Sequence, residues 1–247
     1  MSTSQLFPSL GDMTALAGYD PRAFPPFAVT VDIVVFTIED TDLKVALIER
    51  GEEPHKGALA LPGGFVREDE DLGAAATREL LEETGLSPDH LEQFGAYGDP
   101  DRDPRMRIVT IGYWAIVPDL PEPVGGTDAA RARKVSVAEV LENKEALRVD
   151  HHLILSVALQ RARDALEHTT VATDFCDDVF AISDLRSVYE AVWGVNLDQG
   201  NFQKKVLEIE GFVVSTGKRR KGARGRPPEL FRAGPAHRIE PPFRRPR

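Results

Sequence analysis

The sequence predicts an α/β fold of the α+β kind: a mixed sheet layered with helices, then a smaller unit of two short helices and a hairpin. Three observations carry this reading. β-Branched apolar runs alternate with helical stretches as far as about residue 168. The pattern then restarts with two short capped helices. The charge also changes sign along the chain: Gln199 to Arg247 holds 13 Lys+Arg against 4 Asp+Glu, a net +9, while the preceding residues carry −19 within a total of −10. An acidic body with a basic end suggests two jobs, the second facing a polyanion.

Residues 1–26, rich in Ser, Gly and Pro, read as a flexible arm. Ala28–Ile38 is β-branched, apolar and free of Pro and Gly, so it reads as a buried strand. Glu39–Asp42 turns the chain, and Leu43–Arg50 returns it. Pro62-Gly63-Gly64 breaks the next short strand. Leu72–Thr84 has helical spacing, with Gly85 as its stop signal. Leu91–Gly98 and Arg107–Val117 read as strands, Val137–Asn143 as a short helix, and Asp150–His168 as a longer one with Leu153, Val157, Leu159 and Leu166 among its apolar positions. Thr169–Cys176 reads as a strand or a connector. Ser183 is the expected cap of a helix from Asp184 to Trp193, ended by Gly194. Asp198 caps a second helix reaching about Glu210. Phe212–Thr216 is a strand, Gly217–Pro228 a basic loop, and Glu229–Arg232 its return. Helix, turn, helix and basic hairpin make a winged helix-turn-helix pattern over 169–233. Residues 234–247 read as a disordered basic tail, and Phe175, Phe180 and Trp193 as core.

Hydrophobic content of 42% and charged content of 28% are those of a soluble globular chain. A single cysteine, Cys176, excludes an intramolecular disulfide. The stretch MSTSQLFPSLGDM lacks the basic start and apolar run of a secretory signal, and no run reaches the roughly 18 apolar residues of a membrane span. The expectation is a cytoplasmic protein without a membrane partner.

The chemistry concentrates in GFVREDEDLGAAATRELLEETGL, Gly64–Leu86. Glu79 and Glu83 lie four apart and Glu82 three from Glu79, so all three occupy one side of the helix. Crowded carboxylates raise one another's pKa. A divalent cation relieves that cost, and hard oxygen ligands suit Mg²⁺, which also accepts phosphate oxygens. Gly63 and Gly64 permit a tight bend that offers a carbonyl to the metal or N–H groups to phosphate. Arg78 pairs with a neighbouring carboxylate. For a lone Glu pair, a solvated helix face would be the preferred reading.

The spacing of Gly64, Glu70, Arg78-Glu79-Leu80, Glu82-Glu83 and Gly85-Leu86 fills each fixed position of the Nudix box, and the segment resembles the Nudix family. The resemblance implies a mixed sheet between helices and Mg²⁺-dependent (or Mn²⁺-dependent) hydrolysis of a nucleoside diphosphate linked to another moiety. It implies a catalytic set of Arg78, Glu79, Glu82 and Glu83, a metal site of Glu79, Glu82, Glu83 and Gly63, and support from Gly64 and Glu70. A further carboxylate outside the box serves as base in this family; Glu122 and Asp128 are loop candidates.

FAVTVDIVVFTI, LALPGGFV and GDPDRDPRMR resemble the ADP-ribose pyrophosphatase-like branch. With the winged helix and GRPPELFR (Gly225–Arg232), residues 28–233 resemble the Nudix-related transcriptional regulators. In those, ADP-ribose or a related sugar nucleotide acts as effector, and hydrolysis is kept or lost. The chain departs from the pattern in three places. Arg131 and Lys134 stand where enzymes carry an acid and a Trp, Leu59 stands where a Trp is common, and the second winged-domain helix lacks a basic pair before its Asn. Asp150-His151 matches a pair near the nucleotide pocket, although capping is the simpler role for Asp150.

If the winged unit docks on DNA, Asn201, Gln203, Lys204 and Lys205 face the major groove or its flanks. Lys218, Arg219, Arg220, Lys221, Arg224 and Arg226 meet phosphates or a minor groove from the wing. The expected function is an effector-sensing transcriptional regulator, a homodimer on a double-stranded operator. The alternative is a Nudix hydrolase whose winged unit only dimerises.

Overall fold

The structure is a computed structural model. It describes residues 23–51, 55–88, 91–118, 120, 130–143, 145–147, 150–221 and 227–246. The expected arm is therefore outside the described residues as far as residue 22, and residues 23–27 run exposed into the first strand.

Strand β1 (Ala28–Glu39) organises the larger unit. It pairs antiparallel with β2 (Asp42–Glu49) and with the short β4 (Gly63–Phe65), and parallel with β6 (Ile108–Ile116) from Ala28 opposite Ile108 to Phe36 opposite Ile116. β3 (Leu59–Ala60) extends the sheet beyond β2, and β5 (Glu92–Tyr97) beyond β6. A further strand, β7 (Ala130–Ser136), pairs with β2 and was not foreseen, because its Arg- and Lys-rich sequence lacks the apolar alternation of a strand.

Both faces of β1 are buried, as its unbroken apolar run requires. Val31, Ile33 and Val35 pack with Ala75, Ala76 and Leu80 of helix α1 (Leu72–Thr84). Val34 and Phe36 face the other way, toward α2 (Val137–Glu142) and α3 (His151–His168). α1 begins where Asp71 Oδ1 accepts the Ala74 N–H at 2.8 Å and stops at Gly85, which has φ 73°. α3 buries Ile154, Leu155, Ala158, Leu159, Ala162 and Leu166, whereas Leu153, expected on the apolar face, is exposed.

Thr169–Cys176, left open between strand and connector, contains a 3₁₀ turn, Val171–Phe175. A short strand β8 (Phe180–Ala181) leads directly into α4 (Ile182–Trp193). The cap of α4 is Ala181, not Ser183, which lies inside the helix. Asp184, three residues on, accepts the Ala181 N–H at 2.9 Å, so the carboxylate reaches back to the helix start. α5 (Gln199–Glu208) starts as expected at Asp198, whose Oδ1 accepts the Asn201 N–H at 2.8 Å. β9 (Val213–Arg219) and β10 (Glu229–Ala233) complete a sheet in the order β8-β10-β9.

The two units share one hydrophobic core. Residues of α3 continue without a break into Phe175, Phe180, Leu185, Tyr189 and Phe202 of the winged unit. Arg163 Nε donates to Val192 O at 2.9 Å, and the Trp193 indole N–H donates to Arg163 O at 3.3 Å, so α3 and α4 are clamped in both directions. Residues 234–246 are ordered, contrary to the expected tail. Ile239 and Phe243 are buried, and the chain folds back along α3 and α5. Composition suggested disorder, but two apolar side chains four residues apart among prolines are enough to anchor a segment whose backbone also finds partners.

Candidate functional site

The bend before α1 is built by close approach. A Cβ on Gly63 would lie 2.1 Å from the Val31 carbonyl oxygen, so only glycine fits against β1 there. A Cβ on Gly64 would lie 2.5 Å from the Glu79 carboxyl group. The bend and the acidic face of α1 are therefore in van der Waals contact.

Arg78 is the hub of this face. Its Nε and Nη2 donate to the two oxygens of Glu70 at 2.9 and 2.5 Å. Nη1 donates to Glu79 at 2.6 Å and to Glu82 at 3.2 Å, and Nη2 reaches Phe65 O at 3.1 Å. The bidentate guanidinium holds the Glu70 carboxyl well below the usual range, at about 2, aided by the Arg67 N–H. Glu83 points elsewhere: its Oε2 accepts the Gly63 N–H at 2.8 Å. Burial pushes the Glu83 carboxyl up to about 7. Glu79 and Asp32 add to the rise, while the Gly63 N–H and Arg50 oppose it.

The crowding expected from the helix spacing is relieved by this arginine. Among the described residues, no three His, Cys, Asp or Glu side chains converge as a ready metal-holding group. Arg78 draws Glu79 and Glu82 to itself, and Glu83 turns to the bend. The donor chemistry nonetheless fits a hard divalent cation, since hard carboxylate oxygens are gathered beside a bend with no side chain in the way.

Beside the bend lies a cleft of about 290 Å³, lined by Asp32, Gly63, Gly64, Phe65 and Glu83 together with Arg50, Arg102, Asp103 and Arg105. Its floor is an ionic network that residue spacing does not reveal. Arg102 Nε and Nη2 donate to the two oxygens of Asp150 at 2.9 and 2.7 Å, and Nη2 to Asp32 at 3.3 Å. Asp150 thus makes no cap with its side chain, against expectation, because its carboxylate is taken by Arg102. Its neighbour His151 also lines the cleft. His151 Nδ1 accepts the Leu61 N–H at 3.0 Å, which leaves the ring proton on Nε2, 3.6 Å from Asp32 Oδ1. One signal was available for Asp32: it is the lone charge inside the apolar run of β1.

Of the departures from the resembled pattern, those at Lys134 and Leu59 resolve into pairing and packing; the side chain of Arg131 lies outside what the structure describes. Lys134 Nζ donates to Glu39, at the end of β1, at 2.7 Å and to Leu120 O at 3.2 Å, and Arg133 pairs with Glu49 of β2 at 3.3 Å. Leu59 packs against the core and bridges Leu147. Glu122 and Asp128 lie outside the described residues.

In the winged unit, Asn201, Gln203, Lys204 and Lys205 are exposed on α5, while Phe202 and Val206 face inward. Lys218, Arg219, Arg220 and Lys221 are exposed on the wing. Arg220 is paired with Asp184 of α4, and Arg219 Nη1 donates to Pro227 O at 2.8 Å, so both brace the wing. Arg224 and Arg226 lie outside the described residues.

A model of the NUDIX domain family matches residues 26–155, and one of the NrtR DNA-binding winged helix domain matches residues 172–233. The chain is 33% identical over 219 residues to an ADPR responsive transcriptional repressor NtrR of Acinetobacter baylyi, covering 88% of this chain and 86% of that one. It is 39% identical over 128 residues to an ADP-ribose pyrophosphatase of Methanocaldococcus jannaschii, covering 52% of this chain and 70% of that one. It resembles Shewanella oneidensis NrtR complexed with a 27mer DNA, with a TM-score of 0.73 and 28% identity over 87% of this chain and 99% of that one. The NUDIX domain of that protein complexed with ADP ribose matches with a TM-score of 0.54 and 33% identity, covering 63% of this chain and 99% of that one.

Proposed function

Since this chain belongs to the Nudix family and joins its Nudix domain to an NrtR-type winged helix, we propose that it is a transcriptional repressor whose DNA binding responds to ADP-ribose. One observation carries the reading. The similarity to the ADP-ribose-responsive repressor runs through both units, from the cleft beside the box to the basic winged helix.

The division of labour follows from the side chains. Arg50 and Arg105, which line the cleft, supply positive charge for a diphosphate, and the Gly63-Gly64 bend brings backbone to the cleft with no side chain of its own. Phe65, half exposed at the cleft, offers an apolar surface to a base or a ribose. Glu79, Glu82, Glu83 and the Gly63 carbonyl are the groups that would hold Mg²⁺, or Mn²⁺ in its place. Such an ion neutralises charge on the diphosphate when bound. The exposed residues of α5 read base edges, and Lys218 and Lys221 on the wing meet phosphates. A cytoplasmic homodimer on a two-fold operator is the assembly this division implies. We place the boundary between the sensing and DNA-binding units at residues 168 and 169.

Helix α3 is the mechanical link. Its first residue, His151, lines the cleft, and its last turn packs against the winged unit. A ligand that favours one setting of Asp150 and His151 therefore biases how α3 presents that unit. Gel shifts with genomic promoter fragments, with and without ADP-ribose, test the reading. Specific retention that ADP-ribose changes is expected; no specific retention at physiological salt refutes it.

The complete box favours a second activity, slow hydrolysis of the effector. Phosphate-containing products released from ADP-ribose with Mg²⁺, and lost in Glu82→Gln and Glu83→Gln, are its expected signature. Turnover surviving both changes would exclude the proposed site.

A further inference from the structure

The segment after β10 lies beyond the part of the chain matched by the winged-helix family, and it does not hang free. Its backbone is spent on two elements. Gly234 N–H donates to Phe212 O at 2.9 Å and Ala236 N–H to Gly211 O at 3.0 Å, at the turn that follows α5. Ile239 N–H then donates to His168 O, and Phe243 N–H to Glu167 O, both at 2.9 Å. These are carbonyls of the last turn of α3, which have no partner within their own helix. Thr170 Oγ1 donates to Ala236 O at 2.8 Å and closes the same junction.

The side chains complete the tie. Phe243 is 5% exposed and sits among Tyr189 of α4 (5.2 Å between ring centres), Phe202 of α5 (5.4 Å) and Phe212 (6.4 Å). The ammonium of Lys205, on the outer face of α5, lies 5.7 Å from the centre of the Phe243 ring. Tyr189 is itself bound to α3, its hydroxyl donating to Leu166 O at 3.1 Å. One aromatic ring thus touches α4, α5 and a cation offered to DNA, while its own N–H holds the end of α3.

We propose that residues 234–246 are a strap that sets the orientation of α5 for DNA and ties it to α3, with Phe243 as its positioning residue. The strap rests on the reading of α5 as the DNA-reading helix. It makes the end of α3, rather than the α3–α4 contact alone, the point through which the state of the cleft reaches α5. Tilted and edge-on aromatic packing fixes the rotation of α5, and the hydrogen bonds to Glu167 and His168 fix the distance from α3.

The test uses the full-length protein throughout. Wild type selects a duplex from a randomised library of short DNA. Affinities of wild type, Phe243→Ala and Phe243→Tyr for that duplex are measured by fluorescence anisotropy, with and without ADP-ribose, and ADP-ribose binding is measured separately by calorimetry. Phe243→Ala is expected to lose about tenfold or more in duplex affinity and most of its response to ADP-ribose, while binding ADP-ribose as wild type does. Phe243→Tyr, which keeps the ring, is expected to restore both. Should Phe243→Ala fail to fold, Phe243→Leu carries the same comparison, since it keeps apolar volume and loses the ring. Wild-type duplex affinity with a wild-type ADP-ribose response in the Ala or Leu variant overturns the strap and leaves the DNA reading standing. An equal loss of ADP-ribose affinity also overturns it, by showing general damage. A wild type that selects no duplex removes the DNA reading itself, and the strap with it.

Discussion

Replacing Arg102 by Met tests the ionic floor of the cleft. The side chain is 5% exposed and bridges Asp32, 9% exposed, and Asp150, 18% exposed. Met keeps most of the apolar stem and removes the charge, so two carboxylates are left in a poorly solvated wall with no cation between them. Breaking a buried pair by removing one partner costs about 3–5 kcal/mol, mainly as the penalty of the orphaned charge. In a chain of this size each kcal/mol moves the melting temperature by about 2–4 °C, so a fall on the order of 10 °C is expected. Thermal unfolding followed by circular dichroism measures it. The decisive comparison adds Asp32→Asn and Asp150→Asn to Arg102→Met. If orphaned charge is the cause, replacing both acids by the neutral amides recovers a large part of the loss. A triple variant no more stable than the single one would refute this reasoning, as would a single variant melting within about 2 °C of wild type.

Further expectations follow from the same geometry. Gly63→Ala drives a Cβ into the Val31 carbonyl and should prevent soluble folding, whereas Gly64→Ala meets only the side-chain carboxyl of Glu79, which can shift at the expense of its Arg78 pair, and should fold but weaken Mg²⁺-dependent ADP-ribose binding; expression and calorimetry separate them. Glu83 has a folded pKa raised to about 7 from an ordinary 4.5, so its neutral form is favoured by folding. Its contribution is fully present below about pH 4.5 and is lost as pH rises through about 7. In metal-free buffer Glu83→Gln should therefore be more stable than wild type at pH 8, by about 3 kcal/mol at most, and equal to it near pH 4; a variant less stable at pH 8 would reverse the sign. On the wing, Lys218→Ala and Lys221→Ala should each lower the slope of log affinity against log salt by about one, with little change in sequence preference. Arg220→Ala should instead loosen the wing through its lost Asp184 pair.

Local signals made the box and its neighbours legible. Helix α1 occupies the residues its spacing predicts, and Gly85 and Asp198 act where capping chemistry places them. Elements without a local signal were misread. β7 is a strand because β2 offers it a ladder and Glu39 and Glu49 neutralise its cations, not because its residues favour one. The cap of α4 moved to Ala181 because Asp184 reaches back and β8 fixes the entry of the chain.

The sequence by itself determined that three glutamates share one helical face after a glycine bend, and that a basic winged unit follows an acidic one. Helical periodicity and glycine sterics act over a few residues, so they survive without a fold. Only the tertiary structure decided what those glutamates touch. Arg78 takes two of them, and Gly63, packed against β1, takes the third. It alone brought Asp32, Arg102 and the adjacent pair Asp150-His151 together from three distant parts of the chain, because buried charges must find partners wherever folding brings them. It also turned an apparently disordered end into a strap, since Phe243 finds its aromatic partners only once α4 and α5 are packed on α3.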